Sequence, residues 1–149
     1  MERKWIAATL LAIVLFAGLC VPAEAKNRVD IRVITILASQ DSNFIDPSLS
    51  STVRELRAVF RYSSYRLISR NRLRLNLKET GQISLPGGRL LRITPSNIRG
   101  NRVELRLSIF KSRQQIFRTT VRLRNRSSMT VGGPKHKGGY LLLNISSSF

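Results

Sequence analysis

The sequence predicts a mainly β protein (α+β by content), built as an antiparallel sandwich or open roll of about seven or eight short strands with one amphipathic helix near the front of the domain. Three observations predict it. Apolar and polar residues alternate with a period of two through most of the chain after residue 60, as in Val103, Leu105, Leu107 and Ile109 against Arg102, Glu104, Arg106 and Ser108. Only one stretch carries the helical period. Turn signals, Pro86-Gly87-Gly88 foremost, punctuate the alternating segments.

Residues 1–25 read as a cleavable signal peptide. Arg3 and Lys4 are followed by an apolar run from Trp5 to Val21, then Pro22, then Ala23-Glu24-Ala25, which places small residues where a signal peptidase cuts. The same run is at the short end of what crosses a bilayer, so an uncleaved anchor is the alternative. Cleavage would leave residues 26–149 as a single β-rich domain, exported to the periplasm or the extracellular space and associated with the cell envelope. That domain lacks cysteine, so no disulfide could staple it and its own core must hold it.

Along the domain, Val29, Ile31 and Val33 alternate with Asp30 and Arg32 in a first strand over Arg28 to Ile36. The helix is expected over Pro47 to Phe60. Asp46 is its N-cap, Pro47 suits the first helical position, and Leu49, Val53, Leu56 and Phe60 form one apolar stripe. A short strand over Tyr65 to Ser69 and another around Leu73, Leu75 and Leu77 come next. Ile83 and Leu85 precede the Pro-Gly-Gly turn, and Leu91 and Ile93 follow it. Met129 to Val131 reads as a short strand, whereas Tyr140 to Ile145 is almost wholly apolar, as in a strand covered on both faces. Gly132 and Gly133 open a glycine-rich connection between these last two strands.

The alternation also sets a register. With Lys111 to Gln115 as a hairpin loop, Ile109 faces Phe117, Leu107 faces Thr119, Leu105 faces Val121 and Val103 faces Leu123, and Glu104 meets Arg122 on the other face. A second hairpin pairing Ile93 with Val103 would add Arg92, giving an outer row Arg92–Glu104–Arg122.

Charge dominates the functional reading. The 149 residues hold 26 basic and 8 acidic side chains, a net +18, and the expected mature domain keeps that charge with 24 basic and 6 acidic residues, 19 of the bases being Arg. Arg binds phosphate and carboxylate as a two-pronged fork, a stronger contact than a point charge makes. Alternation sends many of these arginines to exposed sheet faces. The candidate anion-binding residues are Arg72, Arg74, Arg106, Arg118, Lys135 and Lys137; Asp46, Glu104, Gly132 and Gly133 are structural. The partners this implies are an anionic polymer, a lipid headgroup met as a peripheral membrane contact, or an acidic protein; nucleic acid would bind only non-specifically, through charge. The interleaved Phe60-Arg61-Tyr62-Ser63-Ser64-Tyr65-Arg66 could stack on bases or sugars, or simply supply core aromatics.

Catalytic chemistry finds little support. His136 is the sole histidine and sits between Lys135 and Lys137, no G-x-S-x-G elbow is present, and the six acids of the domain are scattered. No cofactor or metal motif is legible. The expected function is a non-enzymatic, exported basic module. One alternative is a small outer-membrane-associated β-barrel: Leu141, Leu143, Ile145 and the final Phe149 resemble an outer-membrane insertion signal. Another is an exported enzyme acting on an anionic substrate. Asn125-Arg126-Ser127 and Asn144-Ile145-Ser146 are formal N-glycosylation acceptors, the second expected to be buried.

Overall fold

The computed structural model describes residues 27–149, and the predicted signal peptide lies outside the described residues. Eight strands form: β1 (Arg28–Ser39), β2 (Ser64–Asn76), β3 (Gly81–Leu85), β4 (Arg89–Arg99), β5 (Arg102–Lys111), β6 (Gln114–Arg124), β7 (Ser127–His136) and β8 (Gly139–Ser148). They make two four-stranded antiparallel sheets, ordered β2-β1-β8-β7 and β3-β4-β5-β6. The chain is therefore a meander folded over at two corners, β2 to β3 and β6 to β7, with β1 inserted between β2 and β8.

The sandwich is held by the apolar halves of the alternating strands. Val29, Ile31 and Val33 of β1 and Leu143 and Ile145 of β8 pack against Leu91, Ile93, Val103, Leu105, Leu107 and Ile109 of the second sheet, all fully buried. Each such side chain contributes roughly 1.5–3 kcal/mol by leaving water. A second cluster lies on the opposite face of the first sheet. There Ile36, Ala38, Tyr65 and Leu142 are roofed by the helical segment. Both faces of β8 are thus covered over Leu141 to Ile145, as its almost wholly apolar run requires, with Asn144 buried among them.

The helical segment opens as a 3-10 turn (Pro47–Leu49) and continues as α1 (Ser50–Val59). Asp46 caps it: its carboxylate accepts the Ser48 N–H at 2.9 Å and the Ser48 hydroxyl at 2.7 Å. Leu49, Val53 and Leu56 are buried on the first sheet and Phe60 is partly buried beside them, which is the expected stripe.

Four local expectations are corrected. The two short strands expected after the helix are one strand, β2. Ser69 pairs with Thr35 and Leu67 with Ile36, so Ile68 bulges out and the strand changes phase. Leu67 and Tyr65 therefore face the helix, while Leu73 and Leu75 face the other sheet. Second, the loop after β5 is a two-residue turn, Ser112-Arg113, both with positive φ (48° and 66°), and a bulge at Ile116 restores the register beyond it. Third, the short strand over Met129 to Val131 is part of the longer β7, which runs on through Gly132 and Gly133, so these glycines are strand residues and the connection to β8 is the turn at Lys137-Gly138.

The fourth correction concerns the β4–β5 hairpin. Ile109, Leu107, Leu105 and Val103 face Phe117, Thr119, Val121 and Leu123 as expected. Ile93, however, faces Leu107, and Arg92 faces Ser108 rather than Glu104. The strand runs on through Pro95, bulges at Ser96 and turns at Gly100, whose φ is +56°. Pro95 is tolerated because N–H and C=O of one strand residue point the same way, and on that side β3 has not yet begun. The carbonyl takes the Lys78 N–H instead, at 2.6 Å.

A closed membrane barrel is not the architecture. The sheets do not join at their corners, their apolar sides face each other, and the outer faces carry arginine.

Candidate functional site

Alternation fixes what each outer face presents. On the second sheet Leu91, Ile93, Leu105, Leu107 and Ile109 point inward, so their neighbours Arg92, Thr94, Arg106 and Ser108 point out. The registers then build rows across the sheet. Gln82, Arg92, Ser108 and Arg118 form one row over all four strands, and Thr94, Arg106 and Thr120 form the next. Phe110 stands on the far side of the first row, between Leu90 and Gln115. With strands about 4.8 Å apart, Arg92 and Arg118 are separated by roughly 10 Å at the backbone, and Arg106 lies one pleat repeat away between them.

Gln82, Arg92, Thr94, Arg106, Ser108, Phe110 and Arg118 line an open depression of about 530 Å³, together with Thr80 and Gln115. Its walls hold three guanidinium groups, hydroxyls, amides and one aromatic ring, and no carboxylate. The Arg92 guanidinium carbon lies over the Phe110 ring, 4.5 Å from its centre, a cation–π contact that helps to hold the side chain. The Thr80 and Thr94 hydroxyls hydrogen-bond at 2.7 Å on the rim.

Elsewhere acids blunt the cations. Beyond the depression, Glu104 accepts from Arg122 Nε at 3.2 Å and from the Ser96 hydroxyl at 2.8 Å, and these bonds, the Ser96 one foremost, hold its carboxyl below the usual range. On the outer face of the first sheet, Arg72 Nε donates to Asp30 Oδ1 at 2.8 Å and Arg74 Nε lies 3.5 Å from Oδ2. The Arg72 hydrogen bond is the main reason the Asp30 carboxyl is held low, partly opposed by desolvation. Near Asp30, a further open depression of about 500 Å³ runs past Arg32, Arg126 and the serines 127, 128, 146, 147 and 148.

The six candidate anion-binding residues therefore fall on three separate surfaces. Arg72 and Arg74 are engaged by Asp30 on the first sheet. Arg106 and Arg118 share the second sheet's depression. Lys135 and Lys137 lie at the β7–β8 hairpin, where Lys135 Nζ sits 5.8 Å from the Tyr140 ring centre. Sequence reasoning missed Arg92 as the third member of the acid-free group, because the four-residue register difference had assigned it to Glu104. Among the described residues only Arg72, Arg74 and Arg122 make ion pairs.

The remaining candidates have structural surroundings. Gly133 is crowded, since a Cβ there would lie 2.9 Å from Leu141 O, whereas Gly132 has room, with Phe60 3.9 Å away. Tyr65 is buried and donates its hydroxyl to Phe60 O at 2.8 Å, and Tyr62 packs edge-on against it, so the aromatic–arginine segment supplies core. Burial, then Arg89 and Lys137, pushes the His136 pKa down. Among the described residues no group of three or more His, Cys, Asp or Glu side chains gathers in metal-binding range. Asn125 and Asn144 both use their side-chain amides internally, on Phe149 and Thr130.

No family model, curated protein or solved structure matches this chain.

Proposed function

We propose that this chain is an exported, non-enzymatic basic module that binds an anionic component of the cell envelope or an acidic partner. The observation that carries the reading is the imbalance on the outer sheet faces. The sandwich buries its apolar residues inward and projects arginines outward, and three of them find a carboxylate while the others stand without one among the described residues. A field of that sign, spread over rigid strands, draws and holds polyanions without needing a deep pocket or a reacting group. The signal-like segment over residues 1–25 supports an exported setting, where such polymers and headgroups are the abundant anions.

The test is fractionation of the native host. The envelope is isolated and washed with high salt, and the chain is followed by antibody and intact mass. Release by salt, as a chain beginning at Lys26, is the expected result, because charge contacts are screened. Retention until detergent is added would favour the membrane-embedded alternative and sink the reading.

A further inference from the structure

We infer that the depression on the outer face of the second sheet, centred on Arg92, Arg106 and Arg118, is a binding site for an acidic polysaccharide. The inference rests on the proposed anion-binding reading and names its site and partner.

Three features select this surface over the other cationic ones. First, the depression has three arginines and no acid, whereas Arg72, Arg74 and Arg122 are each partnered. An incoming carboxylate or sulfate would therefore not have to displace a resident one. Second, the arginines stand on neighbouring strands of one sheet, so their spacing is set by the backbone ladder, and Arg92 is further held by Phe110. A side chain already held, as that of Arg92 is, loses less entropy on binding. Third, the spaces between the cations are filled by Gln82, Thr94, Ser108 and Gln115, which offer donors and acceptors to sugar hydroxyls between the charged groups.

The same features argue against other polyanions. A nucleic acid strand stacks its bases on exposed aromatic rings, and the single ring here is already covered by a guanidinium. A lipid surface takes in apolar anchors, and among the described residues the large exposed apolar side chains are Phe44, Val59, Ile68, Ile116, Met129 and Tyr140, none of which lines this depression.

The experiment compares two triple variants that remove equal charge. R92Q/R106Q/R118Q empties the depression; R54Q/R57Q/R61Q takes three exposed arginines from the helical segment and the turn after it. Both are checked for fold by circular dichroism and melting. Binding of the mature chain to polygalacturonate, dextran sulfate, neutral dextran, poly-uridylate and phosphatidylglycerol vesicles is then measured by titration calorimetry near physiological salt. The expected result is that the chain binds one of the two acidic polysaccharides more tightly than RNA or vesicles. The depression variant should lose that affinity by about tenfold or more, as befits lost charge-assisted hydrogen bonds. The helix variant should lose about threefold or less. Equal losses in the two variants would overturn the site, leaving only bulk charge. Tighter binding to RNA or vesicles would overturn the polysaccharide. Binding to no polyanion at all would instead overturn the broader reading.

Discussion

Asn125 grips Phe149 with both ends of its side-chain amide: Nδ2 donates to Phe149 O at 2.7 Å and Oδ1 accepts the Phe149 N–H at 3.0 Å. Its own backbone N–H donates to Asn101 O at 2.9 Å, and the next residue's N–H, that of Arg126, donates to Ser147 O at 2.8 Å. This corner between β6 and β7 thus ties the end of β8 to the turn of the β4–β5 hairpin. It joins two sheets that share no ladder there. Asn125→Ala leaves both Phe149 groups without their partner, which costs about 1–3 kcal/mol. Urea unfolding should show that loss, with Ser128→Ala on exposed β7 surface staying within about 0.5 kcal/mol of the wild type. An Asn125→Ala midpoint matching the wild type would mean the latch carries no stability.

The glycines near the β7–β8 hairpin are predicted to be unequal. A Cβ on Gly139 would lie 2.4 Å from Ala38 O and 3.0 Å from Ser39 Cβ, so β1 would have to move. Gly132 would meet only Phe60, at 3.9 Å. Gly139→Ala should therefore destabilise by at least the ~1–3 kcal/mol typical of overpacking. Gly132→Ala should be close to neutral. Thermal melts of the pair check this, and equal melting temperatures would refute the close approach of β8 to β1.

How far the sequence could be read follows from which signals are local. The sandwich class, the helix with its Asp46 cap, the β5–β6 register and the Glu104–Arg122 pair all come from alternation and period, which are written in consecutive residues. What misled was phase. A bulge adds one residue and reverses the face, so Ile68 hid the continuity of β2; for Arg92 it was the position of the hairpin turn, at Gly100 rather than nearer Ile93, that moved its partner four residues, from Glu104 to Ser108. The candidate site was correspondingly half legible: Arg106 and Arg118 were named, but the third arginine depends on a register that single-strand patterns do not contain.

Acid should unfold the domain in two stages. His136 has a lowered pKa, so the folded state resists its protonation; that stability is complete above its ordinary value of 6.5 and is lost as pH falls through the lowered one. Asp30 and Glu104 are also lowered, from 3.8 and 4.5, so their contribution is present above those values and drains as pH drops through the folded ones. The melting temperature should sag gently below about pH 6.5 and steeply below about pH 4. His136→Gln should remove the first stage. Asp30→Asn should lower the neutral melting temperature while flattening the second. A melting curve unchanged in shape for Asp30→Asn would show that the Arg72 contact is not an energetic one.

Glu104 supplies the last prediction, because it makes affinity and stability move in opposite directions. It is the only carboxylate on the outer face of the second sheet, one strand pairing from Arg122 and two residues along β5 from Arg106. Glu104→Gln removes the ion pair with Arg122 but keeps a side chain that the Ser96 hydroxyl can still reach, so folding should weaken only slightly. Arg122 is then released, and a negative charge that repels any polyanion in the neighbouring depression is gone. At the separation set by the strand ladder, one unit charge near the surface changes polyanion affinity by about two- to threefold. Affinity for the acidic polysaccharide should therefore rise by that factor and depend more steeply on salt. Asp30→Asn removes the same charge from the opposite face and should raise affinity less. If the two variants gain equally, the polyanion is responding to net charge, and the second sheet has no privileged surface.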